Sequence, residues 1–533
     1  MTQSWRRDLT WVTFGVCLLA LPFLRQAYHI DEPQFLAIAR QILKDPRHPG
    51  AFMYNADGGS APMSQGFATG PFASYLMALP LKWSGGVEWR MRLSCLPFDV
   101  MAALALYLLA GRFLSRPLLP TLIILACPGY WINMQHLMAE KWIGAFGFFG
   151  LYAFVRGVDE KKALWLWAAA ALMAAALMVK YTAVFFLAPI TVYGWSRRTP
   201  PMRLTLLILA VATPAALCLL AQPASQKAVL SLTASRMVGH WSAWSQRWRA
   251  LLTFVSGGAP VLLLWPFWLG RSKRRLWAAA GLCTALATVL FLPHFDLSAV
   301  RGVDRMTGIV LAAGTLLVLP TFVASRPGRD RLFWSSWALA VGGLQICVYW
   351  SVVSRYVLFL DIPLIFYLAR RLEVELPQPA LRRLHAVSLA LAVYATLILG
   401  WVDGSYAGAQ RHIARYVSQE YRGRHVWFTG HWGLQYYMEA AGAEEIDLSR
   451  GGWDLVRPGD VVVIPSVNYA IIKPRRGLRF KLRTLRIDNP VPLRLICTDG
   501  AEGAFYTSAL GFLPYSLSAG PLDEFTILEV LPG

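Results

Sequence analysis

Charged residues are scarce in this chain of 533 residues: they make up 15% of the sequence, whereas 56% of the residues are hydrophobic. A soluble protein carries about a quarter charged residues, so this sequence has too few to cover a water-exposed surface. The mean hydropathy is +0.44, and nearly uncharged apolar runs recur through residues 1–402. The scarcity of charge therefore excludes a soluble enzyme, a disordered protein and a fibrous protein, and it predicts a polytopic membrane protein.

Two further classes of protein are excluded by what is missing. Six of the seven cysteines lie within apolar runs, which leaves no set of cysteines for a disulfide framework. The net charge is +21, yet residues 403–533 are neutral, with 14 basic and 14 acidic residues. The basic excess therefore belongs to the apolar part, where loop Lys and Arg fix the orientation of membrane helices. It gives no support to a nucleic-acid-binding protein.

Thirteen apolar runs predict membrane-spanning helices, several of which need loop residues to reach the roughly 20 residues of a full span. In chain order they are residues 9–24, 93–111, 117–138, 142–155, 163–179, 181–196, 204–226, 250–270, 276–293, 306–325, 332–354, 356–369 and 386–402. A further short piece, residues 70–83, contains two prolines and a lysine, and we place it at the membrane interface. With the N-terminus inside, the cytoplasmic segments then carry 21 Lys and Arg against nine in the short outer loops, as the positive-inside rule requires.

This topology predicts an all-α polytopic membrane protein with a C-terminal extracytoplasmic α/β domain. Residues 1–402 form the transmembrane domain, and residues 25–92 are its long first extracytoplasmic loop. Residues 403–533 form the soluble domain, in which 424–428 and 459–465 are predicted strands and 433–441 a predicted helix. A segment of this length suffices for one small α/β domain.

The informative polar residues of a membrane protein are those that depart from the inside-positive pattern, and here they collect on the outer side. They are Asp31, Glu32, Glu140, Lys180, His294, Asp296, Arg301 and Arg355. Taken singly, each acid is as readily structural as functional, and a histidine such as His294 is more often a solvated loop residue than a ligand. Together, acids and bases from five separate loops share one surface, which favours a common site.

Transfer of a sugar from a lipid-linked phosphate fits such a surface. Outside the cytoplasm no nucleotide sugar is available, so the donor must be embedded in the membrane. Its phosphate leaves as an anion and needs fixed cations at the interface. The acceptor hydroxyl needs a carboxylate base. A hydrolase with two working carboxylates would not need the cations.

Several motifs then resemble one family. His29-Ile-Asp-Glu-Pro-Gln-Phe-Leu-Ala-Ile-Ala-Arg40, after the first span, resembles the Asp-Glu segment of the GT-C glycosyltransferases, among them the protein O-mannosyltransferases and the aminoarabinose transferase that acts on lipid A. Further matches follow in the family's order: Arg92-Leu-Ser-Cys-Leu-Pro, Met138-Ala-Glu-Lys-Trp-Ile-Gly, Leu177-Met-Val-Lys-Tyr and Ser354-Arg-Tyr-Val-Leu-Phe-Leu-Asp-Ile-Pro363. The resemblance covers residues 1 to about 400 and is strongest in the first 200.

The resemblance implies roles for single residues. Asp31 would be the catalytic base, Glu32 would orient it or help bind a divalent ion, and Glu140 would be the second acid. A divalent metal ion, if any is used, would be held by these three acids. Lys180 and Arg355 would face the phosphate of a polyprenyl-phosphate sugar.

The chain also departs from the family pattern. Gln34 stands where lipid A relatives have Arg, and Gly70-Pro71 stands where they have Lys-Pro, so two phosphate-binding cations are missing. Arg301, Arg305 or Arg355 would replace them, or the donor differs. His294 and Asp296 match no motif and are candidates from topology alone.

The leading hypothesis is an inverting glycosyltransferase of a bacterial cytoplasmic (inner) membrane, although the endoplasmic reticulum would give the same topology. Its partners are a polyprenyl-phosphate sugar, the bilayer and an extracytoplasmic acceptor, which is a protein, a lipid or a polysaccharide. The alternative is a transporter or lipid flippase, for which Asp99 and Asp361 inside predicted spans are the best support. A non-catalytic scaffold is the third hypothesis.

Overall fold

The computed structural model describes residues 3–66, 69–220, 243–269, 273–292, 300–323, 329–475 and 477–532, and most of them are helical. The helices up to residue 220 are α1 (Gln3–Ala20), α2 (Glu32–Lys44), α3 (Met63–Gly66), α4 (Phe72–Ser84), α5 (Glu88–Ala110), α6 (Leu118–Ala126), α7 (Pro128–Gln135), α8 (Ala139–Glu160), α9 (Ala163–Val179), α10 (Leu187–Ser196) and α11 (Pro201–Leu220). Those that follow are α12 (Ala243–Gly258), α13 (Val261–Leu264), α14 (Lys273–Leu290), α15 (Gly302–Val323), α16 (Arg329–Gly343), α17 (Ser354–Glu375), α18 (Gln378–Glu420) and α19 (Trp432–Ala440).

Two helices of the described ranges, α5 and α18, are long and apolar enough to cross a membrane. The segment Trp244–Gly258 and the segment Val261–Trp268 pass the same test as a pair, although the chain bends by 95° between them. The number of thirteen spans stays a prediction, because many of the apolar runs form shorter or broken helices.

Proline explains one break that the apolar pattern hides. The predicted single helix over residues 117–138 is wrong: α6 ends at Ala126, Cys127 is extended, and α7 begins at Pro128. Proline has no N–H to donate to the preceding turn and disfavours helical backbone in the residue before it.

Two other predicted helices are irregular at one end. The run 332–354 leaves the α-helix at Gly343 and continues as a π turn over Leu344–Val348, whereas the run 181–196 opens with the 3-10 turn Tyr181–Phe186.

The C-terminal residues build a five-stranded mixed sheet. The strands outside the first loop are β3 (Val426–Phe428), β4 (Glu444–Glu445), β5 (Val461–Pro465), β6 (Phe480–Ile487), β7 (Leu493–Arg494), β8 (Ser516–Leu517) and β9 (Asp523–Val530). The sheet order is β4-β3-β5-β9-β6, in which β3 runs parallel to β4 and β5, and β9 runs antiparallel to β5 and β6. Helix α18 runs without a break through the predicted domain boundary at residue 402 and packs against α19.

The first loop lies between the helices and the C-terminal residues. It contains α2, a hairpin of β1 (Met53–Asn55) and β2 (Ser60–Pro62), and α4, which is the short apolar piece that we placed at the interface. A side-chain carbon at Gly433 would come within 2.2 Å of the Tyr28 carbonyl oxygen, so only glycine allows α19 to pack this closely on the loop. The same hydrophobic core that holds the helices also includes Phe505 and Phe512 from the C-terminal segment.

Candidate functional site

Four of the predicted site residues come together in two linked ion pairs. Arg355 Nη1 lies 2.7 Å from Asp31 Oδ2, and Lys180 Nζ lies 2.9 Å from Glu140 Oε1. Tyr356 joins the pairs, because its hydroxyl accepts a hydrogen bond from Lys180 Nζ at 2.6 Å. Its ring centroid lies 4.4 Å from Lys180 Nζ and 5.6 Å from Arg355 Cζ. We refer to Asp31, Glu140, Lys180, Arg355 and Tyr356 as the ion-pair cluster.

Helix ends position every charged member of this cluster. Asp31 is the N-cap residue of α2, Glu140 lies in the first turn of α8, Lys180 caps the C-terminus of α9, and Arg355 is the second residue of α17. One end of each of these four helices therefore lies at the ion-pair cluster. Such termini present side chains from a rigid scaffold to a common space, as functional sites require.

The backbone before Asp31 is strained. Ile30 has a φ of +47°, a conformation in which a β-branched residue is an outlier. Glu32 holds the turn in this shape, since its Oε2 accepts a hydrogen bond from the His29 N–H at 2.7 Å. Strain of this kind persists only where the surroundings impose it, and it concentrates at functional sites.

The loop before α4 approaches Lys180 closely. A side-chain carbon at Gly70 would lie 2.0 Å from the carbonyl oxygen of Met178, two residues before Lys180. On the other side, the Tyr349 ring stacks on Tyr356 with centroids 4.6 Å apart. These contacts fix the ring that links the two ion pairs.

Glu32, which we predicted to orient Asp31 or to bind a metal ion, is fully buried. It accepts hydrogen bonds from Arg92 Nη1 at 2.9 Å, Arg92 Nη2 at 3.0 Å and the Leu137 N–H at 2.7 Å, in addition to the His29 N–H. Burial alone would raise the pKa of Glu32, but Arg92 and the other donors lower it to about 2. The structure thus favours a structural role for Glu32 that holds Asp31 in place, and it leaves no oxygen for a metal ion.

Behind Glu32 lies a buried polar network that the sequence pattern did not reveal. Asp403 in α18 accepts hydrogen bonds from Gln26 Nε2 at 2.7 Å and from the Tyr506 hydroxyl, and His136 Nε2 lies 3.3 Å from it. His136 Nδ1 in turn lies 3.7 Å from Glu32 Oε1. The network joins the first loop, α18 and the C-terminal segment. One feature of the sequence could have indicated this network: His136 lies in an apolar run that also contains a Gln and an Asn.

Arg301, a predicted phosphate ligand, is bound elsewhere. Its guanidinium donates to Asp304 at 2.8 and 3.1 Å, to the Ser516 hydroxyl at 2.9 Å and to the Leu517 carbonyl at 2.5 Å. These bonds tie α15 to strand β8, and none reaches a member of the ion-pair cluster. His294 and Asp296 lie outside the described residues.

The two acids inside predicted spans differ from each other. Lys141 Nζ lies 2.5 Å from both carboxylate oxygens of Asp99, so Asp99 is paired within the protein. Glu140, which could have paired with its neighbour Lys141, binds Lys180 instead. Asp361 is buried, and its Oδ1 has no hydrogen-bond partner within the described ranges.

The acids that we considered as metal ligands do not form a metal site. Asp31 faces Arg355, Glu140 faces Lys180, and Glu32 is enclosed by four donors. In the part of the chain that the structure describes, no group of three or more His, Cys, Asp and Glu side chains is arranged to hold a metal ion. A divalent cation at the cluster would have to displace a guanidinium and an ammonium, so this donor set does not fit one.

Residues 68–221 match the model of a family described as dolichyl-phosphate-mannose-protein mannosyltransferase. The matched segment contains α4 to α11 and includes Glu140 and Lys180 of the ion-pair cluster. The predicted resemblance to the GT-C glycosyltransferases, which include protein mannosyltransferases, is therefore confirmed over this segment.

Solved structures of low sequence identity are similar to this chain over most of its length. The archaeal oligosaccharyltransferase AglB from Archaeoglobus fulgidus, solved with an inhibitory peptide and a dolichol-phosphate, is 14% identical with a TM-score of 0.49. The match covers 84% of this chain but 65% of the AglB chain, so the present chain spans slightly less than two thirds of that protein. ArnT from Cupriavidus metallidurans, bound to undecaprenyl phosphate, is 13% identical with a TM-score of 0.43, over 87% of this chain and 93% of ArnT. No curated protein sequence matches the chain.

Proposed function

We propose that this protein is an inverting membrane glycosyltransferase that moves a sugar from a polyprenyl-phosphate donor to an extracytoplasmic acceptor. The observation that carries the proposal is the ion-pair cluster, which puts a partly exposed carboxylate beside two cations at the ends of four helices. The family match over residues 68–221 supports the donor class. We place the protein in a bacterial inner membrane, with Asp31 and the C-terminal domain on the outer side.

Asp31 is the proposed base. Its side chain is 27% exposed and its one charged partner is Arg355, whereas its neighbour Glu32 is enclosed. The acceptor hydroxyl gives its proton to the Asp31 carboxylate as its oxygen attacks the anomeric carbon of the sugar. In the same displacement the bond from that carbon to the phosphate oxygen breaks, which inverts the configuration.

Lys180 and Arg355 are the proposed phosphate ligands. The departing polyprenyl phosphate gains negative charge, and two fixed cations stabilise it without a protonating acid. Arg355 Nε is buried and has no hydrogen-bond partner among the described residues, so it has a donor to offer to an incoming anion. Binding of the donor phosphate would compete with Asp31 for Arg355 and free the carboxylate for the acceptor.

Glu140 is the proposed second acid, acting on Lys180 rather than on the substrate. It is 1% exposed and holds Lys180 Nζ at 2.9 Å. A buried carboxylate in this position keeps the ammonium charged and aimed past the Tyr356 ring. The transporter alternative loses Asp99, which Lys141 neutralises, and retains only Asp361 as its support.

The test is the Asp31→Asn variant of the purified protein in lipid nanodiscs that contain a radiolabelled polyprenyl-phosphate sugar. We expect kcat for release of polyprenyl phosphate to fall by a factor of about 100 to 10,000, the usual contribution of a general base. Asp57→Asn is the matched control, because Asp57 is an exposed aspartate of the same loop. Undiminished transfer by the Asp31→Asn protein would overturn the mechanism.

A further inference from the structure

A cavity of about 560 Å³ lies between the N-terminal ends of α1, α6 and α18. Helix α1 contributes Arg7 to its lining, the segment before α6 contributes Arg116, and α18 contributes Arg382. Three chain segments far apart in the sequence thus bring one arginine each to the same cavity. We call it the arginine cavity and define it by Trp5, Arg7, Asp8, Tyr107, Arg116 and Arg382.

The arginine cavity and the ion-pair cluster lie toward opposite ends of α18. Arg382 and Asp403 are 21 residues apart in this unbroken helix, which separates them by about 32 Å along its axis. Asp403 belongs to the buried network behind Glu32, and the hydrocarbon core of a bilayer is about 30 Å thick. In the predicted orientation the arginine cavity therefore faces the cytoplasmic leaflet.

The positive charge of this cavity is not balanced by the protein. Neither Arg116 nor Arg382 forms an ion pair in the described part of the chain. Asp8 is the acid among the described lining residues, and its Oδ2 accepts a hydrogen bond from the Tyr107 hydroxyl at 3.1 Å, while its Oδ1 lies 3.9 Å from Arg7 Nε. Three guanidinium groups therefore share one carboxylate, and an anion would complete the cavity.

Glu373 approaches the same segment from α17 but does not neutralise the Arg116 side chain. Its two oxygens accept hydrogen bonds from the backbone N–H groups of Ser115 and Arg116, at 3.0 and 2.9 Å. Arg370 Nη1 lies 3.4 Å from Glu373 Oε2. The guanidinium of Arg116 is therefore left for a ligand.

An exposed apolar face of α1 begins at the arginine cavity. Trp11, Phe14 and Leu18 are 51%, 54% and 55% exposed, and they follow Arg7 at intervals of four, three and four residues. Residues at this spacing lie on one face of a helix. A cation at the end of an exposed apolar face matches a charged headgroup with an acyl chain beside it.

Trp5 and Tyr107 mark the level at which the headgroup would lie. Both line the cavity, and their rings pack edge to face with centroids 5.6 Å apart. Such side chains are enriched where the hydrocarbon of a bilayer meets water. Basic pockets between membrane helices at the cytoplasmic surface bind anionic lipid headgroups. A soluble anion would use the arginines but not the apolar face, so the two features together favour a lipid.

We infer that the arginine cavity binds one phospholipid with an anionic headgroup. Its phosphate accepts charge-assisted hydrogen bonds from Arg7, Arg116 and Arg382, and one acyl chain follows the exposed face of α1. This lipid is distinct from a sugar donor, because it lies at the surface opposite the ion-pair cluster. The inference therefore does not rest on the proposed function.

The experiment is native mass spectrometry of the full-length protein in detergent, titrated with phosphatidylglycerol, phosphatidylcholine or inorganic phosphate. We expect one phosphatidylglycerol to bind roughly tenfold or more tightly than phosphatidylcholine, and inorganic phosphate to bind more weakly than either lipid. Arg116→Gln and Arg382→Gln should each weaken binding of phosphatidylglycerol about fivefold, the usual contribution of one basic residue near an anionic lipid surface.

Arg6→Gln and Arg383→Gln are the matched controls. Each removes an exposed arginine that is adjacent in the chain to a lining arginine but does not itself line the cavity. Both should bind phosphatidylglycerol as the wild type does. The melting temperature without added lipid should be the same in all four variants, because the substituted side chains are exposed.

Three outcomes would overturn the inference. Equal weakening in the lining and control variants would assign lipid binding to surface charge in general. Equal affinity for phosphatidylglycerol and phosphatidylcholine would remove the role of the headgroup charge. Inorganic phosphate that binds as tightly as phosphatidylglycerol would make the ligand a soluble anion. The assay contains no sugar donor, so each of these results leaves the proposed function to its own test.

Discussion

Asp31 and Glu32 are neighbours in the chain but belong to two different regions. The region of Asp31 is the ion-pair cluster, which is partly open and in which the carboxylate has one charged partner. The region of Glu32 is the buried network of Arg92, His136 and Asp403, in which the carboxylate accepts four hydrogen bonds. Two acids that look equivalent in a sequence motif thus have opposite environments. Burial and hydrogen bonding, rather than residue type, therefore distinguish an acid that is free to react from a neighbouring acid that holds it in place.

The largest effect that we expect is the loss of stability caused by a substitution of Glu32. Glu32→Gln leaves the Arg92 guanidinium buried beside a neutral group, and loss of one partner of a buried pair costs about 3–5 kcal/mol. Asp31→Asn removes one partner of a partly exposed pair, so it should cost less stability than Glu32→Gln. Thermal unfolding of both variants in the same detergent measures the difference.

The double variant Glu32→Gln with Arg92→Met is the control for this prediction. It removes both charges, so we expect it to unfold at a higher temperature than Glu32→Gln alone. Equal melting temperatures for Glu32→Gln and Asp31→Asn would contradict the separation of the two regions.

The second prediction concerns the cations of the cluster. Lys180→Met removes a charged donor to the lipid phosphate, and hydrogen bonds to charged groups contribute about 1.5–3 kcal/mol. We therefore expect kcat/KM for the polyprenyl-phosphate sugar to fall by a factor of about 10 to 100. Lys180→Arg should recover part of this loss, because it restores the charge.

Lys141→Met is the matched comparison for Lys180→Met. Lys141 is the adjacent lysine to Glu140 in the chain and binds Asp99, so its loss should lower stability more than donor affinity. A donor affinity that changes equally in the two variants would show that the cluster does not contact the phosphate.

Glu445 is a buried acid in a third environment. Its Oε1 lies 2.9 Å from His431 Nδ1. Burial raises the pKa of Glu445 to about 7, and His431 opposes part of this effect. Between the ordinary value of about 4.5 and pH 7 the folded state keeps the proton that the unfolded state releases. Stability should therefore fall as the pH rises through this range, by roughly 2 kcal/mol.

The measurement is the melting temperature as a function of pH for the wild type and for Glu445→Gln. The variant should show a shallower decline between about pH 4.5 and 7, since its amide does not titrate, whereas buried Asp523, whose pKa is also raised to about 7, retains part of the decline. Glu444→Gln is the control, because Glu444 is exposed, and it should keep the wild-type slope. An unchanged slope in Glu445→Gln would assign the pH dependence to another group.

The sequence predicted the four charged members of the ion-pair cluster, but not Tyr356, for a physical reason. Asp31, Glu140, Lys180 and Arg355 each stand at the end of an apolar run, and alternating membrane crossings bring such ends to the same side. Which acid pairs with which base was harder to predict from the sequence. Glu140 binds Lys180 rather than the adjacent Lys141, because helix packing and not chain proximity sets the distance between the side chains.

The buried network could not be predicted in this way. Asp403 and Tyr506 are about a hundred residues apart and meet because the C-terminal segment returns to the helices. The break at Cys127 was predictable in principle, since Pro128 disfavours a continuous helix. We predicted one helix because the run is apolar on both sides of the proline. Apolar patterns thus locate helices and their ends, whereas partners across the fold depend on packing.

The smallest expected effect concerns Arg301, a predicted phosphate ligand whose partners lie outside both regions. Arg301 is bound to Asp304, Ser516 and Leu517 on the C-terminal side, so Arg301→Gln should leave KM for the lipid donor within about twofold of the wild type. Arg301 is 32% exposed but Asp304 is buried, so the variant leaves a buried carboxylate without its cation and should lower the melting temperature. Arg355→Gln, assayed beside it, should raise donor KM by at least tenfold if the cluster holds the phosphate. A tenfold rise in Arg301→Gln instead would move the phosphate site from the start of α17 to the start of α15.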